Sequence, residues 1–131
     1  MGTVKYLLDT HTLLWALCDE TRLGKNARAA MANNSNPLYV SAVSIYEIIY
    51  KHQLGKLPQY DYFVQNFFGI MTQLNATELP LSIRHAHCAG RLKWAHRDPF
   101  DRLLAAQAKE DDMVLITNDP VFSSLPITVI W

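Results

Sequence analysis

The chain has 131 residues, half of them hydrophobic, with 12 basic and 12 acidic side chains and a formal net charge of zero. That length suits one compact domain spanning residues 1–131, with enough apolar surface to form a core without disulfide or metal staples. The charge balance excludes a bulk polycation, so any grip on nucleic acid must come from a local basic face or from bound metal. Cys18 and Cys88 stand in apolar helical contexts and read as buried free thiols of a cytoplasmic protein. The opening Met-Gly-Thr-Val-Lys-Tyr-Leu-Leu-Asp is too short in apolar residues for a signal peptide. Gly2 lacks the Ser or Thr at position 6 that myristoylation needs. No segment approaches the roughly 20 apolar residues of a membrane span.

In chain order, Val4–Leu8 is a short apolar run ending in an acid and reads as a buried strand. Thr12–Leu17 follows as a short helix, and Gly24–Ala32, rich in alanine with basic residues, as an exposed one. Asn33-Asn34-Ser35-Asn36-Pro37 is a turn, and Leu38–Val40 a second strand. Ser41 caps a helix that runs to about Gln53 and stops at Gly55. Tyr60–Leu74 reads as a long aromatic helix, apolar on more than one face. Ala76–Leu79 is a third strand, Ser82–Leu92 a helix with a Ser cap, and Asp98-Pro99 opens another helix with Asp as cap. Met113–Thr117 is a fourth strand, Val121–Ser124 a turn or short helix, and Thr128–Trp131 a terminal strand. Strands alternating with helices predict an α/β fold with a parallel sheet covered on both faces. In such sheets ligands bind beyond the carboxyl ends of the strands, near the switch in strand order.

Four acids border apolar runs: Asp9, Glu47, Asp101 and Asp119. Carboxylates avoid low-dielectric surroundings unless something neutralises them, and several gathered together suit a hard divalent cation such as Mg²⁺. Asp9 stands at a strand end, where a sheet-edge site draws its groups; it also stands where a cap for the next helix belongs, and Thr10 can serve either purpose. Ser44-Ile-Tyr-Glu47 matches a capping box, but Ser41 is the better cap and leaves Glu47 in the second turn beside Ile45, Ile48 and Ile49. Asp98 has the better capping position and Asp101 the better ligand position, near a helix N-terminus that favours negative charge. Asp119 precedes a proline and has a capping alternative; Thr117 and Asn118 beside it are candidate supports.

These motifs, in this order, resemble a PIN domain over essentially the whole chain: Leu-Leu-Asp-Thr-His, Ser-Ile-Tyr-Glu-Ile, His-Arg-Asp-Pro-Phe-Asp-Arg-Leu-Leu-Ala-Ala-Gln-Ala and Ile-Thr-Asn-Asp. The length and the His-Arg-Asp-Pro-Phe-Asp segment are similar to VapC-type toxins of toxin–antitoxin pairs. The resemblance implies a three-layer α/β/α fold with a five-stranded parallel sheet, and Mg²⁺- or Mn²⁺-dependent endoribonuclease activity. It implies a cognate antitoxin that inhibits by inserting a segment near the site. Carried over by position, Asp9, Glu47 and Asp101 are the core acids, and Asp119 matches the fourth and most variable one.

On that reading, metal charge polarises a scissile RNA phosphate and activates water, with no protein nucleophile. Arg84, Arg91, Lys93, Arg97 and Arg102, with Trp94 and His96 among them, have the mix that contacts phosphates and stacks bases, though a solvated helix face has the same composition. His96 is a candidate proton carrier or a structural residue. His85 and His87 are two apart on a helix and point to different faces, which disfavours zinc. The aromatic segment, with Trp15 and Trp131, offers either core packing or a contact for a homodimer or antitoxin. The alternatives are a Mg²⁺-binding receiver-like or phosphatase-like signalling domain, or an inactive binding protein. The first expects paired acids after the opening strand and a late Lys; the second expects an acid where His11 stands.

Overall fold

The computed structural model describes residues 3–131; Met1 and Gly2, read above as neither part of a signal peptide nor a myristoyl site, lie outside the described residues. Five strands form one parallel sheet in the order β3-β2-β1-β4-β5: β1 Lys5–Leu8, β2 Leu38–Ser41, β3 Thr77–Leu79, β4 Met113–Ile116 and β5 Val129–Ile130. The first strand is central because the chain builds β2 and β3 outward on one side of it and then crosses over to add β4 and β5 on the other. Its register pairs Leu8 with Val40 and with Ile116, so these strands end level with one another.

Alternation along β1 supplies both cores. Leu7 packs with Leu104, Ala105, Leu115 and Phe122, and Leu8 packs with Leu13, Leu14, Val40, Ile48 and Phe63. Both leucines are fully buried, each contributing about 1.5–3 kcal/mol. The helices flanking the sheet are α1 Thr10–Cys18, α2 Lys25–Ala32, α3 Ala42–Gln53, α6 Ile83–Arg91 and α7 Pro99–Glu110, giving the three-layer α/β/α arrangement. Gly55 ends α3 with φ of 78°, a conformation other residues adopt at a cost.

A fully buried amide cross-links these layers. Gln107 of α7 accepts from the Ser41 hydroxyl at 2.6 Å and donates to the Pro80 carbonyl at 3.3 Å. Ser41 in turn caps α3 by accepting from Val43 N–H at 3.0 Å, so one network fixes where α3 leaves the sheet.

Three expectations need correction. The long helix over Tyr60–Leu74 is broken into a 3₁₀ turn Pro58–Tyr60, α4 Asp61–Gln65 and α5 Phe67–Met71. Asn66, at φ −116° and ψ 28°, interrupts it, and its side-chain amide donates to the Tyr62 carbonyl at 2.9 Å. The bend lets Phe63 be buried while Tyr62 and Phe68 stay exposed, so one helix never has to bury rings on all sides. Cys18 is exposed at the end of α1 rather than buried; Cys88 is buried as expected. The second helix is not wholly exposed: Ala27 and Ala30 face the core beside Ile116. Gly24, before it, lies so close to Trp131 that a Cβ would come within 2.5 Å of the indole. Trp15 meets Trp131 edge to face at 5.7 Å, so these two rings pack on each other.

Candidate active site

The β1–α1 junction places Asp9. Its N–H continues the ladder to the Ile116 carbonyl at 3.2 Å, and its Oδ1 accepts from Thr12 N–H at 2.8 Å, capping α1. Its other oxygen accepts from the Thr117 hydroxyl at the end of β4. The cap reading is therefore realised by one oxygen, while the other is held by Thr117. Asp9 is buried, and the loss of solvent pushes its carboxyl above the usual value of 3.8, against the opposing hydrogen bonds from Thr117 and Thr12.

Thr10, the next residue, turns towards α3. Its hydroxyl donates to Glu47 Oε1 at 2.7 Å and lies 3.1 Å from Ser44 Oγ. Glu47 is buried, and its second oxygen pairs with Lys51 one turn along the helix. Asp101 lies in the first turn of α7, with Oδ2 2.7 Å from His96 Nε2. Its carboxyl is also held above the ordinary value, first by burial and further by the negative charges of Asp98 and Glu47. Asp98 caps the helix as expected, accepting from Phe100 N–H at 2.9 Å and Asp101 N–H at 3.1 Å.

Asp9, Glu47 and Asp101 thus belong to one neighbourhood: Thr10 links the first two, and Glu47 and Asp101 repel each other. Asp119 is exposed and caps the 3₁₀ turn Pro120–Ser124 through Val121 N–H at 3.0 Å. It joins the group through Thr117, whose Oγ1 accepts from Asp119 N–H at 3.0 Å while donating to Asp9. Asn118 is exposed.

Among the described residues, no three His, Cys, Asp or Glu side chains stand gathered closely enough to hold a metal ion between them. The donor chemistry nonetheless suits a hard cation: buried carboxylate oxygens, two of them with raised pKa values, at the carboxyl end of a parallel sheet. Lys51 brings a positive charge to Glu47, and His96 a ring-nitrogen partner to Asp101.

Of the bases expected near nucleic acid, Lys93 and Arg97 are exposed, Lys93 in a cavity shared with Arg91, Lys109 and Glu110 at the far end of α7 from Asp101. Arg102 has a different task. Its guanidinium donates to the carbonyls of Ala89, Leu92, Trp94 and His96 at 2.8–3.0 Å, tying the segment after α6 to α7. Four of its N–H groups are thereby committed, so it holds the loop rather than reaching for phosphate. His85 is buried, 3.0 Å from Asp111, whereas His87 is exposed, so the two diverge.

Sequence reasoning missed Lys51 and Phe100. The Glu47–Lys51 spacing of four on a helix was the available signal for the first. The Lys51 ammonium lies 5.6 Å from the centre of the Phe100 ring, next to Asp101.

A family model described as the PIN domain matches residues 6–127. No curated protein sequence matches the chain. Among solved structures, the chain is similar to VapBC2 from Rickettsia felis bound to a DNA fragment from its promoter, with a TM-score of 0.73 and 19% identity over 98% of this chain and 99% of that one. DNA-bound VapBC from Salmonella typhimurium gives 0.71 and 19%, covering 98% of both chains. A toxin–antitoxin complex from Klebsiella pneumoniae gives 0.58 and 17%, covering 96% of both. At these identities the likenesses establish the fold.

Proposed function

We propose that this chain, which belongs to the PIN domain family, is a Mg²⁺-dependent endoribonuclease and the toxin of a toxin–antitoxin pair. The observation that supports the catalytic reading is a shared neighbourhood at the carboxyl end of the sheet: Thr10, the residue after Asp9, donates to Glu47, and Asp101 lies within reach of the Glu47 charge. The pairing with an antitoxin rests on the likeness to VapBC and to the Klebsiella pneumoniae complex.

Asp9, Glu47 and Asp101, with Asp119 at the rim, are the residues that would hold Mg²⁺ or Mn²⁺. When bound, such an ion supplies charge to polarise a phosphate and to acidify a water. The chain's own groups prepare the site. Thr117 orients Asp9, Thr10 orients Glu47, and His96 orients Asp101. Arg97, exposed just before Asp98 and Asp101, is the base proposed to contact phosphates of an RNA strand, with Lys93 a more distant candidate. Hydrolysis by water leaves a 5′-phosphate and a 3′-hydroxyl.

The antitoxin and a homodimer partner belong to the same reading. A cavity of about 720 Å³ lined by Ile45, Phe67, Phe68, Met71 and Leu74 beside edge strand β3 offers apolar surface for one of them. The receiver-like alternative fits less well, because β3 ends in the core residue Leu79 and not in an acid. The phosphatase-like alternative meets exposed His11 on the first turn of α1 where a second acid belongs.

The test is cleavage of single-stranded RNA with Mg²⁺, with EDTA, and by Asp9→Asn and Asp101→Asn. Cleavage lost with chelator and in both variants, with ends of the stated chemistry, supports the proposal. Equal activity in both purified variants overturns it.

A further inference from the structure

A flank of α3 beside its buried residues carries two tyrosines one turn apart. Tyr46 and Tyr50 stack with ring centres 5.7 Å apart and planes within 7° of parallel. They are 61% and 46% exposed. The row continues to Phe100, 5.9 Å from Tyr46, across the α3–α7 boundary. Each member adjoins the carboxylate neighbourhood through the chain: Tyr46 precedes Glu47, Phe100 precedes Asp101, and Lys51 follows Tyr50 and lies over Phe100.

Tyr46 and Tyr50 are not among the core residues, whereas Phe100 is half-buried and packs in part against the core. The buried residues of α3 are Val43, Ser44, Glu47 and Ile48. Large aromatic surfaces kept in water next to a site are cheap only if a planar ligand covers them in use. Nucleobases are such ligands: every base has a π-face, and stacking on Tyr or Phe is tolerant of sequence. A base can present its face only when it is not paired and stacked in a helix, which favours single-stranded or looped substrate.

We infer that Tyr46, Tyr50 and Phe100 form a stacking platform for unpaired bases flanking the scissile phosphate, with Lys51 supplying positive charge at its inner end. This rests on the ribonuclease reading above. The platform binds unpaired strands in preference to duplex, because only unpaired bases offer a free face to the rings. The rival occupant of the same rings is a protein surface, and the experiment below separates the two.

The measurement is fluorescence anisotropy with Mg²⁺, using Asp101→Asn as the uncleaving parent and two fluorescein-labelled probes, a single-stranded oligoadenylate and an RNA duplex. Tyr46→Ala and Tyr50→Ala in that background should each weaken oligoadenylate binding about five- to a hundredfold, while duplex binding changes less than about twofold. Tyr46→Phe, which keeps the ring, should stay within about twofold of the parent. Sedimentation runs alongside. Oligoadenylate affinity unchanged in both alanine variants overturns the platform, and a simultaneous loss of dimer assigns the rings to a protein interface. Equal losses for both probes also overturn it, since general charge would then explain binding. A parent that binds neither probe overturns it as well. The catalytic proposal is judged separately, by cleavage in the unsubstituted protein: ring-independent binding with intact cleavage sinks only the platform, and ring-dependent binding without cleavage sinks only the nuclease.

Discussion

Replacing Thr117 by Val tests the way the site is held together. The two side chains have nearly the same shape, and Thr117 is buried, so the substitution makes no cavity. It removes one hydroxyl that donates to Asp9 and accepts from Asp119 N–H. A hydrogen bond to a charged group contributes about 1.5–3 kcal/mol. The Asp119 amide lies at an exposed turn where water replaces its partner, so its share is small. The expected loss with Asp9 ionised is therefore about 2–3 kcal/mol, read from urea denaturation at constant m-value. The loss has a pH signature. Thr117 is the foremost group opposing the upward shift of Asp9, so its removal raises that pKa further. The penalty is fully present above the variant's Asp9 pKa and fades as pH falls to the wild-type value. A difference under about 0.5 kcal/mol on the alkaline side of the Asp9 titration, or an equal difference on both sides of it, would refute the claim that this bond supports the carboxylate form of buried Asp9.

Three further outcomes follow from the same contacts. Without metal, Asp9 and Asp101 hold protons more tightly folded than unfolded, so their contribution makes stability fall as pH rises from 3.8 through their raised folded values; urea midpoints across that range should show the slope, and Asp9→Asn with Asp101→Asn should remove it. Added Mg²⁺ should raise the melting temperature of the unsubstituted protein at neutral pH and leave that double variant unmoved, because ligand binding stabilises only a fold that binds it. Arg102→Lys cannot reproduce a guanidinium that reaches four carbonyls, so it should cost about 2 kcal/mol and open the Leu92–Arg97 segment to trypsin at Lys93 and Arg97; an unchanged digestion pattern would show that the clamp is dispensable.

Much of the sheet was readable because β1, β2 and β4 are short runs dominated by apolar residues that give way to polar ones, and because Ser41, Ser82 and Asp98 announce the helices that follow. Asp9 was readable because it ends the first of those runs, and Glu47 and Asp101 because they border apolar residues within their helices. The break at Asn66 was not, since its aromatic neighbours carry apolar periodicity on both sides, and only the turn of the chain shows which rings go inside. Arg102 looked like one more base in a basic segment. Its role depends on the loop after α6 folding its carbonyls towards one point, which no local pattern encodes. Cys18 sits in an apolar helix, but at the end that leaves the core. The Glu47–Lys51 pair was visible as spacing, yet identical spacings occur on solvated faces, so burial alone distinguishes it.

Asp9, Asp98 and Asp119 each close the amino end of a helical segment, and Asp101 sits in the first turn of the helix that Asp98 caps. Negative charge in this cleft is therefore shared out among backbone amides that are aligned before any ion or substrate arrives. Mutual repulsion, which would otherwise splay the acids apart, is met by the peptide groups of the scaffold. Removing such an acid by alanine loosens a helix start along with the charge, whereas asparagine spares the former and isolates the latter.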